Sequence, residues 1–257
     1  MKVRVRFAKY GSMKFIGHLD IMRFFQKAIR RAGIDIRYSE GFSPHQIMSF
    51  AAPLGVGMES LGEYMDIELV SDSDPQEIKE ALDAQMVEGM QILSVSVLPD
   101  NVKNAMASVA AASYLIHPKR NAEAIEKMAE KLQDFYGQEH IPYTKETKKS
   151  VIELDLKEGI YELCMQQRKC LTEISSVVAA EFAGKEQPED ETKAVFMLVD
   201  ASSSGNIRPS MVMEKLGEFA GVPYTAADYQ VTRLDTFTRL EKDGISRLAP
   251  LGETDEN

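Results

Sequence analysis

The sequence predicts an α+β chain built from two βαββαβ sandwiches in tandem, the second looser than the first. Three observations predict this. Short segments alternate apolar and polar residues with a period of two, longer ones repeat apolar residues three and four apart, and the two kinds follow one another in a set order. The 257 residues, 44% hydrophobic and 27% charged, suit a globular chain with room for two cores.

The first strand is read from Val3, Val5 and Phe7, which alternate with Arg4 and Arg6. A helix follows, with Leu19, Met22, Phe25 or Gln26, Ile29 and Ala32 at helical spacing, Arg23, Lys27, Arg30 and Arg31 on the other face, and Gly33 as the stop. Ile34, Ile36 and Tyr38 predict a second strand that runs into the loop Ser39 to His45 and resumes through Ile47 to Phe50. Met65, Ile67 and Leu69 predict a third. A helix capped at Asp74, with Pro75 in its first turn, carries Ile78, Leu82 and Met86 inward, and Leu93, Val95 and Val97 form the fourth strand. This order is that of a ferredoxin-like sandwich, in which Arg4 and Arg6 of the first strand lie beside Asp66 and Glu68 of the third on the helix-free face. Opposite charges there suit a surface that docks a second domain or partner better than a bare RNA platform.

The reading places a first ferredoxin-like domain at 1–98, a polar, alanine-rich linker at 99–112, a second ferredoxin-like domain at 113–240, and an acidic disordered tail at 241–257. In the second domain strands are expected at Tyr114 to His117, Val151 to Leu156, Ile160 to Cys164, Ala194 to Val199 and Tyr229 to Thr238. Helices are expected at Ala122 to Phe135 and Pro209 to Phe219. Residues 171–192 are ambiguous: Leu171 to Phe182 fit either state, and Gly184 to Thr192 read as a charged loop.

Charge is distributed unevenly. Residues 1–60 carry ten Lys and Arg against four Asp and Glu, a balance of +6, while the remainder carries twenty against thirty-six. The basic quarter either binds an anion or attracts the acidic remainder of the chain. No apolar run approaches a membrane span, and the alternating start does not form a signal peptide, so a cytoplasmic protein is expected. Cys164 and Cys170 match neither a zinc knuckle nor a redox pair and read as structural or incidental thiols.

Candidate chemistry gathers in the first domain. Gly17-His18-Leu19-Asp20 opens the first helix, where free backbone N–H groups and the helix dipole favour an anion. Asp20 can serve there simply as the cap. A phosphate held by His18, Arg23 and Arg31, in a pocket shaped by Ser39, Gly41, Phe42, Pro44 and His45, is chemically sensible because guanidinium forks match phosphate oxygens. The plainer alternative is a satisfied histidine beside a solvated basic face. His18 and His45 are also candidate catalytic residues, as acid and base in RNA cleavage. With Asp20, Glu59 and Glu63 they offer metal-ligand types, but the compact spacing of a metal motif is missing, so neither metal nor cofactor is expected. In the second domain Ser202 to Asn206 precede Arg208-Pro209, which could hold an anion or form an ordinary proline-started turn.

An ordered set of residues carries a resemblance. It comprises Phe15-Ile16-Gly17-His18-Leu19-Asp20, Arg23, Ala28, Arg31-Ala32-Gly33, Tyr38-Ser39-Glu40-Gly41-Phe42-Ser43-Pro44-His45, Ser49-Phe50, Pro53-Leu54-Gly55-Val56-Gly57, Glu59-Ser60, and Gly62-Glu63-Tyr64 with Asp66. In these the chain resembles the radical SAM-linked protein family, a domain of unknown function. The likeness is fainter beyond residue 98, where Gly205-Asn206, Arg208-Pro209 and Arg233 resemble later landmarks, and poor over 165–192. The resemblance implies a partner: a B12-binding radical SAM enzyme, to which this chain would be accessory. Two cysteines cannot hold the cluster such an enzyme needs. RNA is the ligand suggested by fold analogy with paired ferredoxin-like RNA-processing proteins.

Overall fold

The computed structural model describes residues 1–120, 122–146, 151–167, 193–242 and 244–253. The chain is α+β with a mostly antiparallel sheet, and it divides into two compact units: Met1–Ala110 with Asp235–Asn257, and Ala111–Leu234.

The first unit contains β1 (Lys2–Lys9), α1 (His18–Arg31), β2 (Met48–Phe50), β3 (Glu59–Glu68), α2 (Pro75–Asp83), β4 (Met90–Leu98) and α3 (Ala105–Ser108). Its sheet runs β4-β1-β3, with β2 also paired to β3. Val3, Val5 and Phe7 of β1 pack with Phe25 and Ile29 of α1, Met65 and Ile67 of β3, and Leu82 of α2, all buried. Each such side chain contributes about 1.5–3 kcal/mol. Phe7 and Phe25 meet edge to face at 4.7 Å, and Phe50 closes the cluster.

Several expectations are corrected. The buried stripe of α1 is Ile21, Phe25, Ala28 and Ile29, whereas Leu19 is 66% exposed. The face that β1 and β3 cover runs through Ile21, Phe25, Ala28 and Ile29, so Phe25 and Ile29 are buried as expected, Met22 only partly, and Leu19 falls outside. Ile36 and Tyr38 make only single bridges, to Leu69 and Gln46, and a ladder begins only at Met48. The cause is local: Arg37 donates its N–H to the Glu68 carbonyl and accepts from Ile47, so it is wedged between two neighbours.

The helix-free side of β1 and β3 is covered by segments expected to be linker and tail. The 99–112 region contains α3, and the tail forms β11 (Ile245–Pro250), which pairs with β10 (Tyr229–Lys242). Ala105 and Leu251 pack with Ala51 and Tyr64 as a second small core. Arg4 does lie opposite Asp66. Arg6, however, lies opposite Tyr64 and pairs with Asp235 at 2.9 Å, while Glu68 pairs with Arg37 at 2.7 Å.

The second unit holds β5 (Ala111–Pro118), α4 (Ala122–Tyr136), β8 (Ile160–Gln167), β9 (Lys193–Asp200) and α5 (Pro209–Ala220). Strand β10 contributes its residues up to Leu234 to this unit and those from Asp235 to the first. The sheet order here is β10-β5-β9-β8. The expected strand at Val151 joins a separate hairpin instead, β6 (Pro142–Glu146) with β7 (Val151–Asp155), which leaves Val151 and Ile152 exposed. Residues 171–192, ambiguous in sequence, and Cys170 lie outside the described residues.

Candidate functional site

Gly17, in extended conformation, is the N-cap of α1 and makes no side-chain cap bond. Asp20 is therefore not the cap. Its backbone N–H already bonds Gly17, and its exposed carboxylate pairs with Arg23 at 3.3 Å. Such an exposed pair contributes under about 1 kcal/mol and leaves Arg23 available to an anion. His18 is half-buried, its ring set edge-on to Phe50 at 5.3 Å. Beneath this turn the buried Lys9 donates to the Ile16 carbonyl at 3.1 Å, a bond that no periodicity announces. Of the two glutamates, Glu59 pairs with Lys14 at 3.0 Å and Glu63 is buried in β3.

The loop from Ser39 to His45 is a closed unit. The Ser39 N–H donates to the His45 carbonyl at 2.8 Å, the His45 N–H donates to Ser39 Oγ at 3.1 Å, and Ser39 Oγ meets His45 Nδ1 at 2.8 Å. Gly41 turns the chain with φ +110°, a backbone state that side chains resist. Pro44 is exposed, and Phe42 at the tip is fully exposed at 112%. Directly after the loop, Gln46 is buried and donates to the Gln26 carbonyl at 3.3 Å.

These contacts place the two histidines apart. His18 reaches Phe50 and Gln26 is reached by Gln46, so the segment 46–50 runs antiparallel beside α1. Eight helical residues and four extended ones both span roughly 12 Å. His18 stands at one end of that span and His45 beyond the other. The acid–base pair considered from sequence therefore does not assemble, because the segment 46–50 lies between His45 and the helix start. Arg31 is likewise distant: thirteen residues along α1 from His18 are roughly 20 Å, and it bonds Gln85 instead.

What α1 does present is a cationic face. Arg23, Lys27, Arg30 and Arg31 are all exposed, and Lys27 and Arg30 join no ion pair among the described residues. Exposed Phe15 and Leu19 flank its start.

The second-unit candidate resolves differently. The loop after β9 folds around Asp200: the Ser202 N–H donates to its carboxylate at 2.7 Å, and a Cβ at Gly205 would strike that carboxylate at 2.4 Å. The chain's own anion occupies the place where a phosphate would sit. Arg208 is exposed at the N-cap of α5, in the second unit.

Among the described residues, no group of three or more His, Cys, Asp or Glu side chains is placed to hold a metal ion. Cys164 is a free, half-buried thiol whose pKa is pushed up by burial. No helix among the described residues is long and apolar enough to cross a membrane.

No curated protein matches the chain. A family model described as an uncharacterized protein conserved in bacteria (DUF2344) matches residues 2–209, which takes in the first-unit loops, the basic helix and the Asp200 loop. By that match, which spans most of its length, the chain belongs to this bacterial family.

Proposed function

We propose that the chain is an accessory binding module that presents RNA, or another large anionic substrate, to a separate B12-binding radical SAM enzyme in the cytoplasm. The observation that carries this reading is the outer face of α1, where Arg23, Lys27, Arg30 and Arg31 stand exposed on a chain that is otherwise acidic. Cations in a row track a phosphate backbone, and exposed Phe42 and Tyr38 on the neighbouring loop are of the kind on which unpaired bases stack. The strand orders β4-β1-β3-β2 and β10-β5-β9-β8 also suit a ferredoxin-like reading of each unit, the architecture from which the RNA analogy came. The partner enzyme enters through the resemblance of the Phe15 to Asp66 motifs alone.

Fluorescence anisotropy with a short single-stranded RNA tests the reading. Reversing Arg23 and Arg31 to Glu is expected to weaken retention and to lower the salt slope by about 0.7 for each phosphate that is no longer neutralised. Unchanged affinity and slope would remove the RNA proposal. A second reading, a scaffold that docks a protein, is favoured by exposed Phe15, Leu19 and Phe42. A pull-down that recovers the enzyme after nuclease treatment, together with unchanged RNA binding, would select it.

A further inference from the structure

We propose that a cleft in the first unit, walled by Pro99 to Ala110 and by Thr238 and Arg239, binds a small phosphorylated molecule through Lys103 and Arg239. The cleft measures about 550 Å³, and both walls belong to the unit formed by Met1–Ala110 and Asp235–Asn257. Small-molecule sites run from roughly 300 to 1,000 Å³, so a nucleotide-sized body fits.

Its lining is cationic and polar. Lys103, Arg239, Asn101, Ser108 and Thr238 contribute to it, and no carboxylate does; Asp100 lies between two lining residues without lining it. Lys103 joins no ion pair among the described residues, and Arg239 has a long 3.5 Å bond to Ser246 Oγ. Two cations without an acid in one concavity concentrate a positive field, and a guanidinium beside an ammonium supplies a forked and a point donor to phosphate oxygens.

The walls are also held in place before any ligand arrives. The Lys103 carbonyl accepts from Arg4 Nη2 at 3.3 Å and from Ser108 Oγ at 3.0 Å. The Ala105 N–H donates to Asp66 at 2.6 Å, and Asn104 caps α3 through the Ala107 N–H at 2.9 Å. The Ala110 N–H donates to the Phe237 carbonyl at 2.8 Å and ties one wall to the strand that carries Thr238 and Arg239. A segment with so many internal bonds loses little freedom on binding, which favours recognition of a small ligand. The site is independent of the α1 face: it takes a compact phosphate ester rather than a polymer.

The test is a titration of the full chain, followed by backbone NMR, with inorganic phosphate, adenosine 5′-monophosphate and adenosine. Both phosphate-bearing probes are expected to shift the amides of Lys103, Ser108 and Thr238, while adenosine leaves them in place. Lys103→Ala combined with Arg239→Ala is expected to weaken adenosine 5′-monophosphate binding on the order of tenfold or more, as removal of charged hydrogen bonds does. Both side chains are exposed, so the fold survives, and an unchanged melting curve checks this. The pair Lys103→Arg and Arg239→Lys keeps the charge and is expected to keep binding. Reversal of Arg23 and Arg31 is expected to leave it unaltered. Adenosine binding as tightly as its phosphate, undiminished binding by the double alanine variant, or no response to either phosphate probe would overturn the proposal.

Discussion

Asp66 satisfies three donors with two oxygens. Oδ1 accepts from Arg4 Nε at 2.7 Å, and Oδ2 accepts from Arg4 Nη2 at 2.9 Å and from the Ala105 N–H at 2.6 Å. Arg4 is 3% exposed, so its charge has no recourse to water. Asp66→Ala is expected to cost about 3–5 kcal/mol, because it strands a buried guanidinium. Replacing both partners, Arg4→Met with Asp66→Leu, is expected to recover most of that, since the penalty lies in the unpaired charge. Urea denaturation measures both, and a destabilisation well under about 1 kcal/mol for the single variant would contradict the account. This pair was legible in the sequence because alternation puts Arg4 and Asp66 on one face of neighbouring strands. Its companion was not. Tyr64 donates to Asp235 at 2.7 Å, and Asp235 also holds Arg6. Burial raises the pKa of both the Tyr64 phenol and the Asp235 carboxyl. Nothing local in a sequence pairs residues so far apart.

At the scale of the element, the longer helices were read correctly in place and less well in phase, while the one-turn α3 lies in the expected linker. Helix α2 starts as its residues dictate, with Asp74 accepting from the Gln76 N–H at 2.7 Å behind Pro75. Helix α1 begins at His18, but it turns Ile21 inward and leaves Leu19 outside, because β1 and β3 decide which face is covered. The loop from Ser39 to His45 was recognised as a loop, whereas the hydrogen bonds that draw its two ends together are visible only in three dimensions. Helix α5 offers a test of packing against propensity. A methyl group at Gly217 would meet the Val222 carbonyl oxygen at 2.6 Å, where the chain turns back through Gly221. Alanine normally favours a helix over glycine by about 1 kcal/mol. Here backbone stands in the way, so Gly217→Ala is expected to destabilise by about 1–3 kcal/mol. Thermal unfolding reads the sign, and a raised melting temperature would show that the turn gives way freely.

For the molecule as a whole, the first unit is assembled from both ends of the chain. Leu251 is fully buried, and its carbonyl accepts from Arg4 Nη1 at 2.8 Å. Deleting residues 243–257 is therefore expected to destabilise that unit by at least about 2 kcal/mol, through the missing leucine burial alone. Calorimetry would show this as a lower transition, whereas an acidic tail in solvent would be removed without effect. The same long-range closure explains the fate of the candidate site. Residue identities alone determined the α+β class, most strands, the positions of the longer described helices and the basic helix face, because these follow from periodicity and local charge. Only the folded chain decided that His18 and His45 stand apart, that Asp200 fills its own loop, and that the supposed linker and the far part of β10 build a cleft. The histidines and the cleft depend on how residues tens to over a hundred positions apart are placed, which no short-range pattern encodes, and the Asp200 loop, though local, depends on backbone geometry that residue types alone do not specify.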